Sequence, residues 1–459
     1  MNGYHHCMQP VLTPSSASKL DHGLIAEYSL SEPALIDNAA MGVFNLTASM
    51  IAEPVTVLVG PGNNGSDGIA LASILHDKGF NVSVLYLYEK GNAENLRRRK
   101  NLSPAIPVVE NIPEGGTIYD ALFGFSFHGE ADERLRKIAK EAEKASLVIS
   151  VDVSSGGIMR SDVTVSLMMQ KTVLYMPSAA PGTILEHNPG FPEKELSLSP
   201  DSVYLLSDSD SSMKSFREND YKNTRGHVCI AGGSDRYTGA PRLAARAAFF
   251  AGAGLVTIAT ESERIRDENP AVMITPPSSD YSRFSSVVVG PGWDKGNENV
   301  FEDILELGRP VVIDADGLKF VPHHSFHGNA VLTPHVGEYR RLCAALGIDD
   351  ALSDPDALPY KLREIASHLD AVIVLKASSV WIADADAVYI YHGANPSLGV
   401  AGSGDVLSGI IGALLAEGEK PLNAAIDGVI LHQRAGRNAH NAYGFYSAEE
   451  LILEVGKAR

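Results

Sequence analysis

Positive charge is short in this sequence. Its 38 Lys and Arg face 56 Asp and Glu, a formal net charge of -18 that would repel a phosphate backbone and argues against nucleic acid as a partner. Cysteine is scarcer still: Cys7, Cys229 and Cys343 are odd in number, widely spaced and without a CxxC pair. Such a set argues against a disulfide framework and fits a reducing compartment, so a cytoplasmic location is expected. No uninterrupted apolar run reaches the roughly 18 residues that a membrane span requires, and no basic-then-apolar leader opens the chain. The only dense basic run, Arg97, Arg98, Arg99 and Lys100, reads as the solvated face of a helix.

What is present is a globular composition, 44% hydrophobic and 20% charged over 459 residues, which is too long for one ordinary core. The polar stretch SDSDSSMKSFRENDYKNTRG, beginning at Ser207, reads as a connector that is flexible over 207–212. It places a boundary near Met213 and gives expected domains of 1–213 and 214–459. No repeat relates the halves. In the first, strand-like VTVLVG (55–60), NVSVLYLY (81–88), TIYDALFG (117–124) and LVISVD (147–152) alternate with helical spacing at 69–79 and 131–144. In the second, strand runs at 227–233, 255–260, 286–290, 310–316, 330–335 and 371–376 precede a two-stranded excursion, SVWIADADAVYIYH. This is βαβ logic, an α/β chain with parallel sheets whose strands end in Gly, Asp, His or Lys, where ligands of open α/β sheets bind.

Two glycine loops stand out. In VAGSGDVLSGIIGALLAEG, Gly402 and Gly404 permit close backbone approach, and free N–H groups at the following helix start can cradle an oxyanion. Asp405 would sit in the first turn, either supporting the helix dipole or serving as a base toward a hydroxyl. The other loop, GPGNNGSDG at 60–68, has the strand-to-helix setting of a dinucleotide turn without matching GxGxxG. Its Asn63 and Asn64 could serve a ligand or a left-handed turn.

In the second half the motifs GGSDRYTGAPRLAARAAFFAGAGLVTIAT, VVGPGW, VVIDADGL, VLTPHVGEYRRL and VIVLKASSV surround the first of these loops. In this order they resemble the carbohydrate-kinase-type domain of the NAD(P)H-hydrate dehydratases, a branch of the ribokinase-like superfamily, over residues 221–455. The resemblance implies phosphorylation by ADP or ATP, with Mg2+, of the hydroxyl on a hydrated nicotinamide ring, and loss of phosphate to restore NADH or NADPH. It places Ala240, Gly292, His335 and Asp405 around the hydrate, with Asp405 as base. Lys376, Ala377, Ser378, Ser379, Val380, Gly402, Ser403 and Gly404 would hold the nucleotide. The DAD carboxylates Asp314 and Asp316 are expected to be structural or to act through a neighbour. Ala377 replaces a usual glycine, and Trp293 and Asp294 replace a usual leucine and glycine.

In the first half GPGNNGSDG, YDALFGFSFHGE and SVDVSSGG resemble the hydrate epimerase domain over residues 20–205, which implies a Rossmann-like three-layer α/β/α sandwich. By the same match Asn63, Asn64, Gly65, Ser66, Asp67, Gly124, Phe125, Ser126, Phe127, His128, Gly129 and Glu130 would bind the hydrate and Asp152 would be the catalytic acid or base. Asn64, Asp120 and Ser155 fall where the family holds K+, and hard oxygen donors suit that ion. Ser66 stands for a usual glycine, and Ser154 for the proline of DxPSG, whose fixed backbone angle would aim Ser155. The expected partners are the NADHX and NADPHX hydrates and ADP or ATP, with no membrane and no nucleic acid, in a homo-oligomer. A small-molecule kinase carrying a non-catalytic first domain is the competing reading.

Overall fold

A computed structural model describes residues 8–127, 131–198, 200–265, 269–277, 280–294 and 296–459. It divides into two compact units: Gln9–Val203 with Ser353–Asp356, and Tyr204–Leu352 with Ala357–Arg459 and Met8. The first unit contains six parallel strands: β1 (Val55–Val59), β2 (Val82–Tyr86), β3 (Thr117–Ala121), β4 (Leu147–Val151), β5 (Val163–Leu167) and β6 (Thr183–His187). Their order is β2-β1-β3-β4-β5-β6. The Val- and Ile-rich runs are buried along nearly their full length because helices cover both faces. On one face α2 (Glu32–Thr47) packs with α3 (Asn63–Asp77), flanked by α4 (Ala93–Asn101); α5 (Glu133–Ala142) covers the other, and α1 (Pro14–Tyr28) packs in a separate cluster with Met168, Met169 and Phe191. The chain leaves β1 for β2 on one side and reaches β3 on the other, so the crevice above β1 and β3 is the topological switch point.

The α3 helix starts at Asn63, six residues before the apolar periodicity does. From Asn64 onward its polar first turns are buried rather than looped out, and a Cβ on Gly68 would lie 2.6 Å from that of Ala121. The basic run also differs from expectation. Arg98 has 11% of its side chain exposed and pairs with Glu94 and Asp37, while Arg99 donates to the carbonyls of Tyr88 and Gly60. Arg99 braces the loop and Arg98 ties α4 to α2, while Arg97 and Lys100 remain on the exposed face.

The second unit is built on β7 (Val203–Leu206), β8 (His227–Ala231), β9 (Leu255–Ala259), β10 (Val272–Thr275), β11 (Ser286–Val289), β12 (Val311–Ile313), β13 (Ala330–Leu332), β14 (Val372–Leu375), β15 (Val380–Ala383) and β16 (Val388–Tyr391). They lie in the order β7-β16-β15-β14-β13-β12-β11-β8-β9-β10, parallel from β14 to β10, with β15 and β16 an antiparallel excursion. The helices are α6 (Gly239–Phe250), α7 (Glu298–Glu306), α8 (Val336–Leu346), α9 (Leu358–Leu369), α10 (Ser403–Ala416), α11 (Pro421–Tyr443) and α12 (Ala448–Ala458). Gly409 lets α10 lie directly on α6, since a Cβ there would sit 2.2 Å from the Ala244 carbonyl oxygen. Close packing fixes where the α10 N-terminus points.

The units part at Val203/Tyr204, ten residues before Met213. Tyr204 stacks on Tyr389, 5.9 Å between centroids, and β7 joins the second sheet. Residues 207–212 are pinned rather than flexible: Asp208 accepts from Tyr391 and Arg437 at 2.5 Å each, and Ser212 bonds Asp427 twice at 2.8 Å. Serine and aspartate favour turns as readily as linkers, and here their short side chains meet buried partners. Cys229 and Cys343 are buried and unpaired. Among the described residues no helix is long and apolar enough to cross a membrane.

Candidate active sites

In the first unit the crevice above β1 and β3 is a cavity of about 610 Å³. Asn63, Asn64, Asp67, Gly124, Phe125, Ser126, Phe127 and Asp152 all line it. Gly65 and Ser66 face away from it. A Cβ on Gly65 would lie 2.1 Å from the Gly60 carbonyl oxygen, and Ser66, fully buried, turns its hydroxyl back to Gly62 at 3.4 Å. His128, Gly129 and Glu130 lie outside the described residues. From α4, Asn95 donates to the Gly60 carbonyl and Asn92 to the Asn63 side chain at 2.7 Å, so the loop is held from behind.

Asp152 ends β4 with φ +70, a left-handed backbone unusual outside glycine and typical of functional positions. Its Oδ2 accepts from the Phe125 N–H at 3.3 Å, and its Oδ1 receives the Lys171 ammonium. Lys171 has no exposed side-chain surface, also donates to the Leu167 carbonyl at 2.5 Å, and lies 5.0 Å over the Phe125 ring. The motifs did not mark this lysine; its isolation in an apolar run, MMQKTVLY, was the available signal. Asp67, 8% exposed, has its carboxyl pushed far up by burial and then by the nearby Asp152, with Arg98 opposing. Both effects favour its protonated form over the carboxylate.

Behind the cavity, Asp120 is fully buried. Its oxygens accept from the Ser155 hydroxyl and N–H, the Ser150 hydroxyl and the Leu122 N–H, between 2.5 and 3.2 Å. Burial raises its carboxyl and these bonds oppose the shift. The Phe123 N–H donates to Ser155 Oγ at 2.9 Å, and Asn64 stands beside Gly124, 3.6 Å from where a Cβ would sit. Neither the amide oxygen nor the amide nitrogen of the buried Asn64 has a partner among the described residues. Ser154, with φ -65, reaches Asp120 through a chain of hydroxyls, Ser161 at 3.1 Å, then Ser150 at 2.6 Å.

In the second unit the chain leaves β8 toward β9 and returns through β11, so the β8 and β11 ends flank the switch point. Ala240 and Gly292 meet there: a Cβ on Gly292, whose φ is +69, would lie 3.3 Å from that of Ala240. Trp293 is buried edge-on against Phe320, and Asp294 is exposed. At the adjacent strand ends His335 and Lys376 form a parallel bridge, and the Lys376 N–H donates to the Pro334 carbonyl at 2.8 Å. His335 caps α8, its Nδ1 accepting from the Gly337 N–H while Glu338 accepts from the His335 N–H.

Gly402, with φ +89, turns the chain into α10 and offers no side-chain cap; the Ser403 N–H donates to the Val400 carbonyl at 3.2 Å, which leaves the Gly404 and Asp405 N–H groups available. Lys376 Nζ lies 3.2 Å from where a Gly404 Cβ would stand and pairs with Asp314 at 2.8 Å. Ammonium and helix start converge on one spot, an arrangement that suits an anion. Asp405 is pushed up to about 7, chiefly by burial and then by Asp314, with Lys376 opposing and Glu338 adding. Ala377 and Ser378 form the turn after β14, while Ser379 and Val380 are buried at the start of the hairpin, Ser379 bonded to His392 at 2.9 Å. Asp316 pairs with Lys319 instead, at 2.5 Å. The motifs did not single out Glu338, whose capping bond to the His335 N–H is local, or His432, whose contact with Ser403 depends on α11 meeting the start of α10.

The profile described as NAD(P)H-hydrate dehydratase matches residues 228–456, and that of the YjeF-related protein N-terminus matches residues 32–173. The chain is 30% identical to the bifunctional NAD(P)H-hydrate repair enzyme of Coxiella burnetii, over 91% of this chain and 92% of that one. It is also 30% identical to the enzyme of that name from Thermofilum pendens, covering 92% and 90%. Among solved structures, a ribokinase-like superfamily protein from Enterococcus faecalis superposes with a TM-score of 0.51 at 21% identity, over 57% of this chain and 96% of that one. That likeness establishes the ribokinase-like fold of the second unit.

Proposed function

From the premise that the chain belongs to the family of bifunctional NAD(P)H-hydrate repair enzymes, we propose that it epimerises the R and S hydrates of NADH and NADPH and dehydrates the S form with ADP or ATP. The observation that carries the second activity is Asp405 in the first turn of α10, next to Lys376 and Asp314. As carboxylate, Asp405 takes the proton of the hydrate hydroxyl while that oxygen attacks the terminal phosphorus. The first-turn N–H groups and Lys376 stabilise the charge on the moving phosphoryl group, and Asp314 keeps the lysine in place. Departure of phosphate, with loss of a proton from the neighbouring ring carbon, restores the double bond. Ala240, Gly292 and His335 border the hydrate, and residues 376–380 with 402–404 border the nucleotide, which brings Mg2+ with it.

In the first unit Asp152, fixed by Lys171, exchanges the proton as the hydrate hydroxyl leaves and returns, and Asp67 lines the same cavity beside it. The residues fit K+: a buried carboxylate, Asp120, without a paired cation among the described residues, a hydroxyl on Ser155, and the orphaned amide of Asn64. Those three would hold the ion, which when bound supplies positive charge behind the cavity. The working state is a homo-oligomer in the cytoplasm, with each activity in its own domain. The test is purified S hydrate with ADP and, separately, ATP. Recovery of reduced-nicotinamide absorbance with stoichiometric phosphate supports the reading; a stable phosphorylated product without that absorbance indicates an ordinary kinase.

A further inference from the structure

We infer that His432 is a positioning residue for phosphoryl transfer: through Nε2 it turns the Ser403 hydroxyl proton toward the moving phosphoryl group, adding a side-chain donor to the backbone N–H groups. The inference rests on the dehydratase reading above and goes beyond it in assigning work to two side chains.

His432 lies on α11, 6% exposed, and its Nε2 sits 3.0 Å from the Ser403 carbonyl oxygen and 3.1 Å from Ser403 Oγ. A carbonyl oxygen can only accept, so the proton of the ring is on Nε2. Toward Oγ, therefore, His432 is also a donor and the hydroxyl oxygen accepts. The hydroxyl keeps its own proton, for which Ser403 has no other side-chain partner among the described residues, and the residue is only 7% exposed. A buried O–H without an acceptor is costly unless a ligand completes it.

The acceptor it lacks has a place to sit. Ser403 is the first residue of α10, one residue from Gly404, where Lys376 Nζ approaches. Burial, with Lys376 adding, pushes the His432 imidazole down to about 4, so the ring stays neutral and its one N–H remains fixed at working pH. A charged ring would have been as good a donor but would put a second cation behind a loop that must release its product anion. Neutral histidine supplies direction without adding affinity for phosphate.

The experiment is steady-state kinetics of the full chain on S hydrate with ADP or ATP, whichever serves, using Ser403→Ala, His432→Leu, His432→Gln and the Ser403→Ala/His432→Leu pair. Gln can present an amide N–H near the Nε2 position. Loss of one preorganised donor predicts that Ser403→Ala lowers kcat by about 10²-fold while KM for the nucleotide changes little. His432→Leu should fall comparably, His432→Gln should recover most of the loss, and the pair should be no slower than Ser403→Ala alone. Wild-type kcat in Ser403→Ala, losses that multiply in the pair, or His432→Gln as slow as His432→Leu would overturn the assignment. Melting curves with and without nucleotide show whether the second unit of each variant is folded; if His432→Leu is not, Ser403→Ala and His432→Gln decide. A wild-type chain inactive on S hydrate with either nucleotide would instead sink the dehydratase reading, so the two failures are distinguishable.

Discussion

Lys171 has no exposed side-chain surface, and its ammonium is held by Asp152 and the Leu167 carbonyl. Replacing it with methionine keeps the volume but strands a buried carboxylate, a defect that typically costs about 3–5 kcal/mol. Lys171→Met should therefore lower the melting point of the first unit and slow use of the R hydrate, with S-hydrate dehydration unchanged; calorimetry and short-time rates check both. At Asp405 the sign follows from its raised value of about 7. Below that pH the carboxyl already carries a proton and cannot take another, so kcat/KM for the S hydrate should rise as pH crosses about 7. Asp405→Asn should remove that limb and about 10²–10⁴-fold of the rate. Asp405 was legible in the sequence because glycines on either side of Ser403 mark a helix start. Lys171 was not, because its partner lies 19 positions away and only the fold of β4 and β5 brings them together.

Among elements, the turn after β4 shows how a departure from the family pattern is absorbed. Ser154 has φ -65 and ψ 121, values that proline adopts without strain, and its hydroxyl joins the Ser161–Ser150 chain to Asp120. Ser154→Pro should then stabilise the first unit by about 0.4–1 kcal/mol by restricting the unfolded chain, read from denaturant midpoints at constant slope. A destabilised variant would show that the hydroxyl chain matters more than the backbone angle. The strands themselves were plain, since runs such as VTVLV buried on both faces have no other use in a chain of this composition. The start of α3 was not, because NNGSDG has the composition of a loop and becomes helical only through contacts with β3 and α4.

For the molecule as a whole, one parallel and one mainly parallel sheet each carry a candidate site at the carboxyl ends of their strands, one above β1 and β3, the other at the start of α10. The α/β class followed from alternating periodicity, and the presence of two bodies from the chain's length and its polar connector. The boundary did not, since Asp208 and Ser212 are polar in sequence yet bonded to Tyr391, Arg437 and Asp427 in the fold. The two sites have a joint purpose if hydration yields both epimers and only one can be phosphorylated. The most direct measurement follows reduced-nicotinamide absorbance from a mixture of R and S hydrates with ADP or ATP, at times short against spontaneous epimerisation, for wild type, Asp152→Asn and Asp405→Asn. The account predicts full recovery by wild type, recovery of only the S fraction by Asp152→Asn, and none by Asp405→Asn. Recovery of the R fraction by Asp152→Asn at the wild-type rate, or any wild-type recovery rate in Asp405→Asn, would contradict it.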